Sequence, residues 1–273
     1  MKRTAKIVSV FLASLITIFI IPPNVIQPVY GSYGSAFFCP GLYWPPHDPS
    51  GEIELAEDTA GFYNMLESCF DESYLIMNED ADVEHYVDAI AYLSQNFDYV
   101  FFYSKGHRGR WPPLDYSHLD LRDYYNSTPG VRDSEEVFPY SSTNFRIVFL
   151  WHCETAEMYE GFYPGYEEDP IGMPFCFTHN NDMDLYGRYT GYNVFVGWEG
   201  ESFPFISYVA DQEPWNEYQY AHWVYYFFER LSEGGSVLDA LNHATNTISN
   251  RDFTCSDLYY NLKVWGCMDI DIY

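Results

Sequence analysis

Tyr99-Val100-Phe101-Phe102-Tyr103 is an unbroken run of β-branched and aromatic side chains, and the same profile returns at Ile147-Val148-Phe149-Leu150-Trp151 and at Val194-Phe195-Val196. A strand with one wet face alternates apolar and polar residues. A strand without alternation is covered on both faces, as in a parallel sheet sandwiched between helices. Leu262-Lys263-Val264-Trp265 is a weaker copy, and Tyr74 to Met77 is a short apolar run of strand length. Helical spacing lies between these runs. Asp82 is placed to N-cap a helix whose Val83, Tyr86, Val87, Ile90, Ala91 and Leu93 share one face. Leu55 to Leu66, Tyr218 to Leu231, and a segment opened by Ser236 after Gly234-Gly235 also read as helices. Alternating strands and helices imply right-handed crossovers. The expected fold class is therefore α/β, a three-layer sandwich with a mostly parallel central sheet of about six strands and helices on both faces.

Working outward, Arg108 to Asn144 is polar and rich in Tyr, Asp and Pro, and reads as a surface excursion. Residues 32–52 are rich in Gly, Pro and aromatics without a period, and read as an irregular lead-in to a domain spanning 53–273. At the amino end, Lys2, Arg3 and Lys6 precede an uncharged run from Ile7 to Ile21 closed by Pro22-Pro23. That is the layout of a signal peptide, and the run is short of the ~20 residues a spanning helix needs. Val29-Tyr30-Gly31 suits a signal peptidase, so 1–31 is expected to be removed and the mature chain to begin near Ser32. An uncleaved signal anchor is the alternative. Either way the remainder is expected to be secreted or at the cell envelope, with no membrane span in the mature chain.

The full chain carries 13 Lys and Arg against 40 Asp and Glu, a formal charge of −27. Loss of Lys2, Arg3 and Lys6 leaves ten basic side chains against the same 40 acidic ones, a formal −30. Nucleic acid is excluded as a partner, because phosphate contacts require Lys and Arg. An acidic surface suits salty or calcium-containing surroundings. No cofactor is required, and Ca2+ stays open, since no EF-hand-type loop localises it. Six cysteines, at 39, 69, 153, 176, 255 and 267, in an oxidising compartment predict disulfides, with Cys39–Cys69 and Cys255–Cys267 the first pairings to test. No zinc-type spacing occurs.

Ligands gather beyond the carboxyl ends of strands in a parallel α/β sheet. The strand at 99–103 runs into Ser104-Lys105-Gly106-His107-Arg108-Gly109, and the strand at 147–151 into His152-Cys153-Glu154-Thr155-Ala156. A histidine past one buried strand and a cysteine past the next set an imidazole and a thiol at one sheet edge, as nucleophilic catalysis requires. Glycines at 106 and 109 let backbone N–H groups approach a carbonyl oxygen. The side chain of His152, adjacent to Cys153, points to the opposite face and is a poor candidate for the base.

An apolar strand ending in Ser-x-Gly-His, followed by one ending in Cys-x-Thr-Ala, resembles the caspase–haemoglobinase superfamily, which includes caspases, legumain, gingipains, separase and CHAT-domain peptidases. Gly191 to Trp198 resembles the strand that walls the S1 pocket of that family. Leu231-Ser232-Glu233-Gly234-Gly235-Ser236-Val237-Leu238 through Ala244 is similar to its carboxyl-terminal helical region, and Leu262 to Gly266 to its closing strand. The resemblance implies a caspase-like fold and a secreted cysteine endopeptidase acting on protein or peptide substrates. In it Cys153 is the nucleophile, His107 the general acid/base, and the amides of Cys153 and of Arg108 or Gly109 the oxyanion hole. Arg108 stands where the family has glycine directly after histidine. Trp198, Glu199 and Glu201 are the expected S1 residues, and a carboxylate there favours a basic side chain in the substrate. The competing function is a catalytically inactive caspase-like extracellular binding or envelope protein, consistent with Arg108 and with the surplus of 27 Tyr and 7 Trp. A carboxylate-based glycosidase fits less well, since paired carboxylates do not recur at the strong strand ends.

Overall fold

A computed structural model describes residues 31–39, 51–77, 80–110, 117–120, 131–156, 159–160, 170–188, 191–200, 202, 217–250, 252–253 and 261–273. Residues 1–30 of the expected leader, Glu201 and Cys255 lie outside the described residues. Residues 32–273 form one compact unit. Among the described residues no helix is long and apolar enough to cross a membrane.

In chain order the elements are β1 (Tyr33–Cys39), α1 (Gly51–Leu66), β2 (Glu72–Met77), α2 (Val83–Asn96), β3 (Tyr99–Lys105), β4 (His107–Arg110), β5 (Ser117–Asp120) and β6 (Val131–Arg132). A π-helical turn (Asp133–Val137) leads to β7 (Phe145–Trp151), β8 (Tyr159–Glu160), β9 (Pro170–Ile171), α3 (Met173–Thr178), β10 (Val194–Trp198), α4 (Glu217–Ser232), α5 (Val237–Ser249) and β11 (Leu262–Gly266). The main sheet has six strands in the order β11-β10-β7-β3-β1-β2. Its pairs are parallel except β10 with β11, which is antiparallel. The fold class is thus α/β with a mixed, mostly parallel sheet.

The unbroken apolar runs divide by the pleat. Phe101, Tyr103, Ile147, Phe149, Trp151, Val194, Val196 and Trp198 face one way, packing with Phe62 and Leu66 of α1, Trp223, Phe227 and Phe228 of α4, and Leu241 of α5. Val100, Phe102, Val148, Leu150 and Phe195 face the other way, against Tyr86, Ile90 and Leu93 of α2 and Phe175 and Phe177 of α3. Each fully buried large side chain contributes roughly 1.5–3 kcal/mol by leaving water. Aromatic pairs add about 0.5–1.5 kcal/mol beyond area. The T-shaped pair Trp151–Trp198, with ring centroids 4.8 Å apart, is one of many.

Two expectations need correction. Residues 33–39 are not an irregular lead-in; they are β1, an inner strand paired in parallel with both β2 and β3. Gly34 and Ser35 resemble loop residues in sequence, but Gly34 is small because Phe97 covers it. A Cβ there would stand 2.5 Å from Phe97 Cδ2. The excursion after β3 is also more ordered than its composition predicts, since β4, β5 and β6 pair as an antiparallel sheet.

The expected Cys39–Cys69 bridge is absent, because Cys39, Cys69, Cys153, Cys176 and Cys267 are all thiols. Geometry gives the reason. Cys39 pairs with Met77 at the carboxyl end of β2, whereas Cys69 precedes Glu72 at its amino end. At about 3.3 Å per residue the strands alone separate them by ~16 Å, far beyond a disulfide's Cα reach. The Cys69 thiol instead lies 3.3 Å from the Tyr273 hydroxyl. Cys267 is likewise a thiol, and Cys255, its expected partner, lies outside the described residues.

Candidate active site

The carboxyl edge of the sheet is set by register. Lys105 stands opposite Trp151, the last residues of the parallel neighbours β3 and β7. The Gly106 N–H donates to the Trp151 carbonyl at 3.3 Å, tying the two exits together. From these matched ends the chain continues to His107 on one strand and to Cys153 on the other, each two positions past the last pair. His107 opens β4, whose backbone pairs antiparallel with β5: His107 with Asp120, Arg108 with Leu119, Gly109 with His118. In an antiparallel ladder every second amide turns to the partner strand. Only one of the Arg108 and Gly109 amides is therefore left to face another acceptor.

Cys153 is half-buried at the start of a tight turn. Its sulfur receives the Ser202 N–H at 3.3 Å and lies 3.5 Å from the Ser202 hydroxyl. Glu154 adopts φ 54°, a left-handed conformation that costs a non-glycine residue about 1 kcal/mol or more. What holds it is the neighbouring chain. The Glu154 N–H donates to the Gly200 carbonyl at 2.6 Å and the Ala156 N–H to the Trp198 carbonyl at 2.9 Å. The Thr155 hydroxyl donates to the His152 carbonyl at 3.1 Å and accepts from the Trp198 N–H at 3.4 Å. Trp265 of β11 donates its indole N–H to the Ala156 carbonyl at 2.9 Å. Gly197 permits this approach, since a Cβ there would stand 2.8 Å from Thr155 Oγ1. The thiol-bearing turn is thereby fastened to β10 and β11.

His152 points to the α2/α3 face, as the pleat requires. It is fully buried, its Nε2 2.8 Å from the Ser104 hydroxyl of β3. Burial pushes the phenol of Tyr86, on the same face, well up, while a hydrogen bond with Ser104 pulls it the other way. Trp198, expected in an S1 pocket, is fully buried, its ring T-shaped against Trp151. Glu199 is half-exposed, and its Oε2 lies 2.9 Å from Lys263 Nζ. Sequence reasoning missed Ser202 and the positioning role of Thr155. Their contacts join positions 49 and 43 residues apart, and no local pattern carries such pairings. Among the described residues no group of three or more His, Cys, Asp or Glu is arranged to hold a metal ion.

The class defined so far is an α/β protein with a mixed six-stranded sheet and a thiol at its carboxyl edge. Comparison with protein-family models gives no match, and comparison with curated proteins gives none. Among solved structures the chain is similar to the Drosophila initiator caspase Dronc, at 8% identity over 88% of this chain and 80% of that one, with a TM-score of 0.41.

Proposed function

We propose that the chain is an exported cysteine endopeptidase of the caspase–haemoglobinase kind, with Cys153 as nucleophile and His107 as general acid/base. The observation that carries this reading is the shared exit register of β3 and β7, which sends residues 107 and 153 out of adjacent parallel strands at the same level. The thiol supports it too, being half-buried at the sheet edge and not consumed by a cystine.

In this reading the Cys153 thiolate attacks the scissile carbonyl carbon while imidazolium at His107 balances its charge. The carbonyl oxygen becomes an oxyanion facing the Cys153 amide and whichever amide of Arg108 or Gly109 is turned from β5. Collapse breaks the C–N bond, and the amine leaves with the proton from His107. Water, deprotonated by the now neutral imidazole, then releases the carboxylic acid and restores the thiol. A basic residue on the acyl side of the scissile bond is the favoured substrate. Glu199 supplies a carboxylate for it only by exchanging Lys263 for the substrate cation.

The test is labelling with acyl-ketone or epoxide probes. The reduced protein takes up one label on Cys153, and Cys153→Ala and His107→Ala abolish it. Peptide cleavage falls by roughly a thousandfold or more in either variant. A folded, reduced sample that neither labels nor cleaves a peptide panel shifts the reading to a catalytically inactive extracellular binding module. Cleavage only after Asp or Asn refutes the basic preference and leaves the dyad intact.

A further inference from the structure

Ser32, the residue before β1, is held by more hydrogen bonds than the approach to a strand needs. Its N–H donates to Asp98 Oδ2 at 2.8 Å and its hydroxyl to the same oxygen at 3.1 Å. The Asp98 N–H returns a bond to the Ser32 hydroxyl at 3.2 Å, and the N–H groups of Asp98 and Tyr99 both donate to the Ser32 carbonyl at 3.0 Å. The next N–H, that of Tyr33, donates to Asp71 Oδ2 at 2.8 Å, while the Asp71 N–H donates to the Tyr33 carbonyl at 2.9 Å. Two carboxylates from different connections, Asp98 between α2 and β3 and Asp71 at the head of β2, thus converge on two successive backbone nitrogens. A peptide N–H offers a carboxylate one proton. An α-ammonium at the same nitrogen offers three protons and a full charge, and charge-assisted bonds of that kind are about twice as strong.

We infer that Asp98 is the receptor for a new amino terminus at Ser32, created when the Gly31–Ser32 peptide bond is hydrolysed. Water adds across that amide under a signal-peptidase-type hydrolase. Gly31 leaves as a carboxylate, and the Ser32 amine takes up a proton and pairs with Asp98. The inference rests on the leader reading and not on the peptidase chemistry. Cleavage one residue earlier or later would leave Asp98 facing an ordinary peptide or remove its partner.

Among the described residues, the charged or titratable groups at this end of the sheet include Asp71, Glu72, Tyr33, Tyr99, Arg146 and Asp271. The Arg146 guanidinium lies 4.9 Å from the Tyr99 ring centroid and 3.8 Å from Asp271 Oδ1. The ordinary value of an α-amine is about 7.7–8.0, and burial raises the Tyr33 phenol further above that range. The sign follows. Pairing raises the folded value of the amine, so its stabilisation is complete below about pH 7.7 and is lost as pH rises through the folded value.

The experiment takes the full-length chain through a secreting host. Intact mass and amino-terminal sequencing of the product are expected to give Ser32 as the first residue; any other start overturns the inference and with it the leader boundary. The product is then melted between pH 6 and 10 beside the same protein acetylated at its α-amine. The free-amine protein is expected to melt higher at pH 6–7, with the difference vanishing toward pH 10. Asp98→Asn is expected to bring the free-amine protein onto the acetylated profile, whereas Asp71→Asn leaves the pH-dependent difference in place. Coincident profiles from a product that does begin at Ser32 overturn the ion pair and leave the leader reading intact. Probe labelling of Cys153 enters neither arm, so the peptidase reading stands or falls separately.

Discussion

Gly34 shows how much one missing methyl group decides. It lies in β1 opposite Val100 and Glu72, with Leu93 Cδ2 2.9 Å and Phe97 Cδ2 2.5 Å from where a Cβ would sit. Alanine removes up to about 1 kcal/mol of backbone entropy cost in a strand but must displace the Phe97 ring from its seat. Gly34→Ala is expected to lower stability by roughly 1–3 kcal/mol in urea unfolding. An unchanged midpoint would mean that Phe97 moves aside freely and that the packing argument is wrong. The same residue explains a misreading, because glycine beside serine signals a loop in sequence and only the helix packed over it reveals a strand. His152 is the opposite case. Period-two geometry alone turned it from Cys153 toward the other face, where its ring meets Ser104. The partners of the sulfur were hidden, since Ser202 reaches Cys153 only through the fold.

At the level of elements, α5 has the most explicit start. The Ser236 hydroxyl accepts from the Asp239 N–H at 3.1 Å, and Asp239 Oδ2 accepts from the Ser236 N–H at 3.2 Å, a closed capping box. Ser236→Ala is expected to cost about 1 kcal/mol, and Asp239→Asn less than that, since the amide oxygen still accepts. Denaturant midpoints for the two variants, read against a Ser249→Ala control in the last turn, check the ranking. This helix was legible because Gly234-Gly235-Ser236 carries its own punctuation, as was α2 behind Asp82, whose Oδ1 accepts from the His85 N–H. The strands β3, β7 and β10 were legible because burial on both faces writes itself as continuous apolar sequence. The small sheet β4-β5-β6 was not. His107-Arg108-Gly109-Arg110 and Ser117-His118-Leu119-Asp120 lack apolar alternation, and backbone pairing holds them. Disulfides were over-read from cysteine count, which carries no information about which end of a strand each thiol occupies.

Across the whole molecule, the order of strands explains why helices cover both faces. The chain steps outward from β1 to β2 through α1 on one face, returns to β3 through α2 on the other, and then proceeds through β7 to β10 and β11. Right-handed crossovers in opposite directions require opposite faces. The formal charge of −30 on residues 32–273, ten basic side chains against 40 acidic ones, acts on this compact unit as self-repulsion. Raising salt from about 0.01 M to 0.5 M shrinks the screening length from ~30 Å to a few ångströms and is expected to raise the melting temperature by several degrees. A fall in melting temperature would mean that attractive pairs such as Arg132 with Glu136 outweigh the repulsion. The position of β1 has its own consequence for biosynthesis. It is among the first core segments to leave the ribosome, yet its neighbours follow 38 and 66 residues later, at Glu72 opposite Gly34 and Tyr99 opposite Tyr33. Until β2 emerges, Ala36-Phe37-Phe38 has no lateral partner, and until β3 follows one of its edges stays open, so a nascent chain stalled before that point displays a sticky, β-prone edge. Chaperone capture of stalled fragments should therefore fall in two steps, first once the ribosome has released Met77 and again once it has released Lys105.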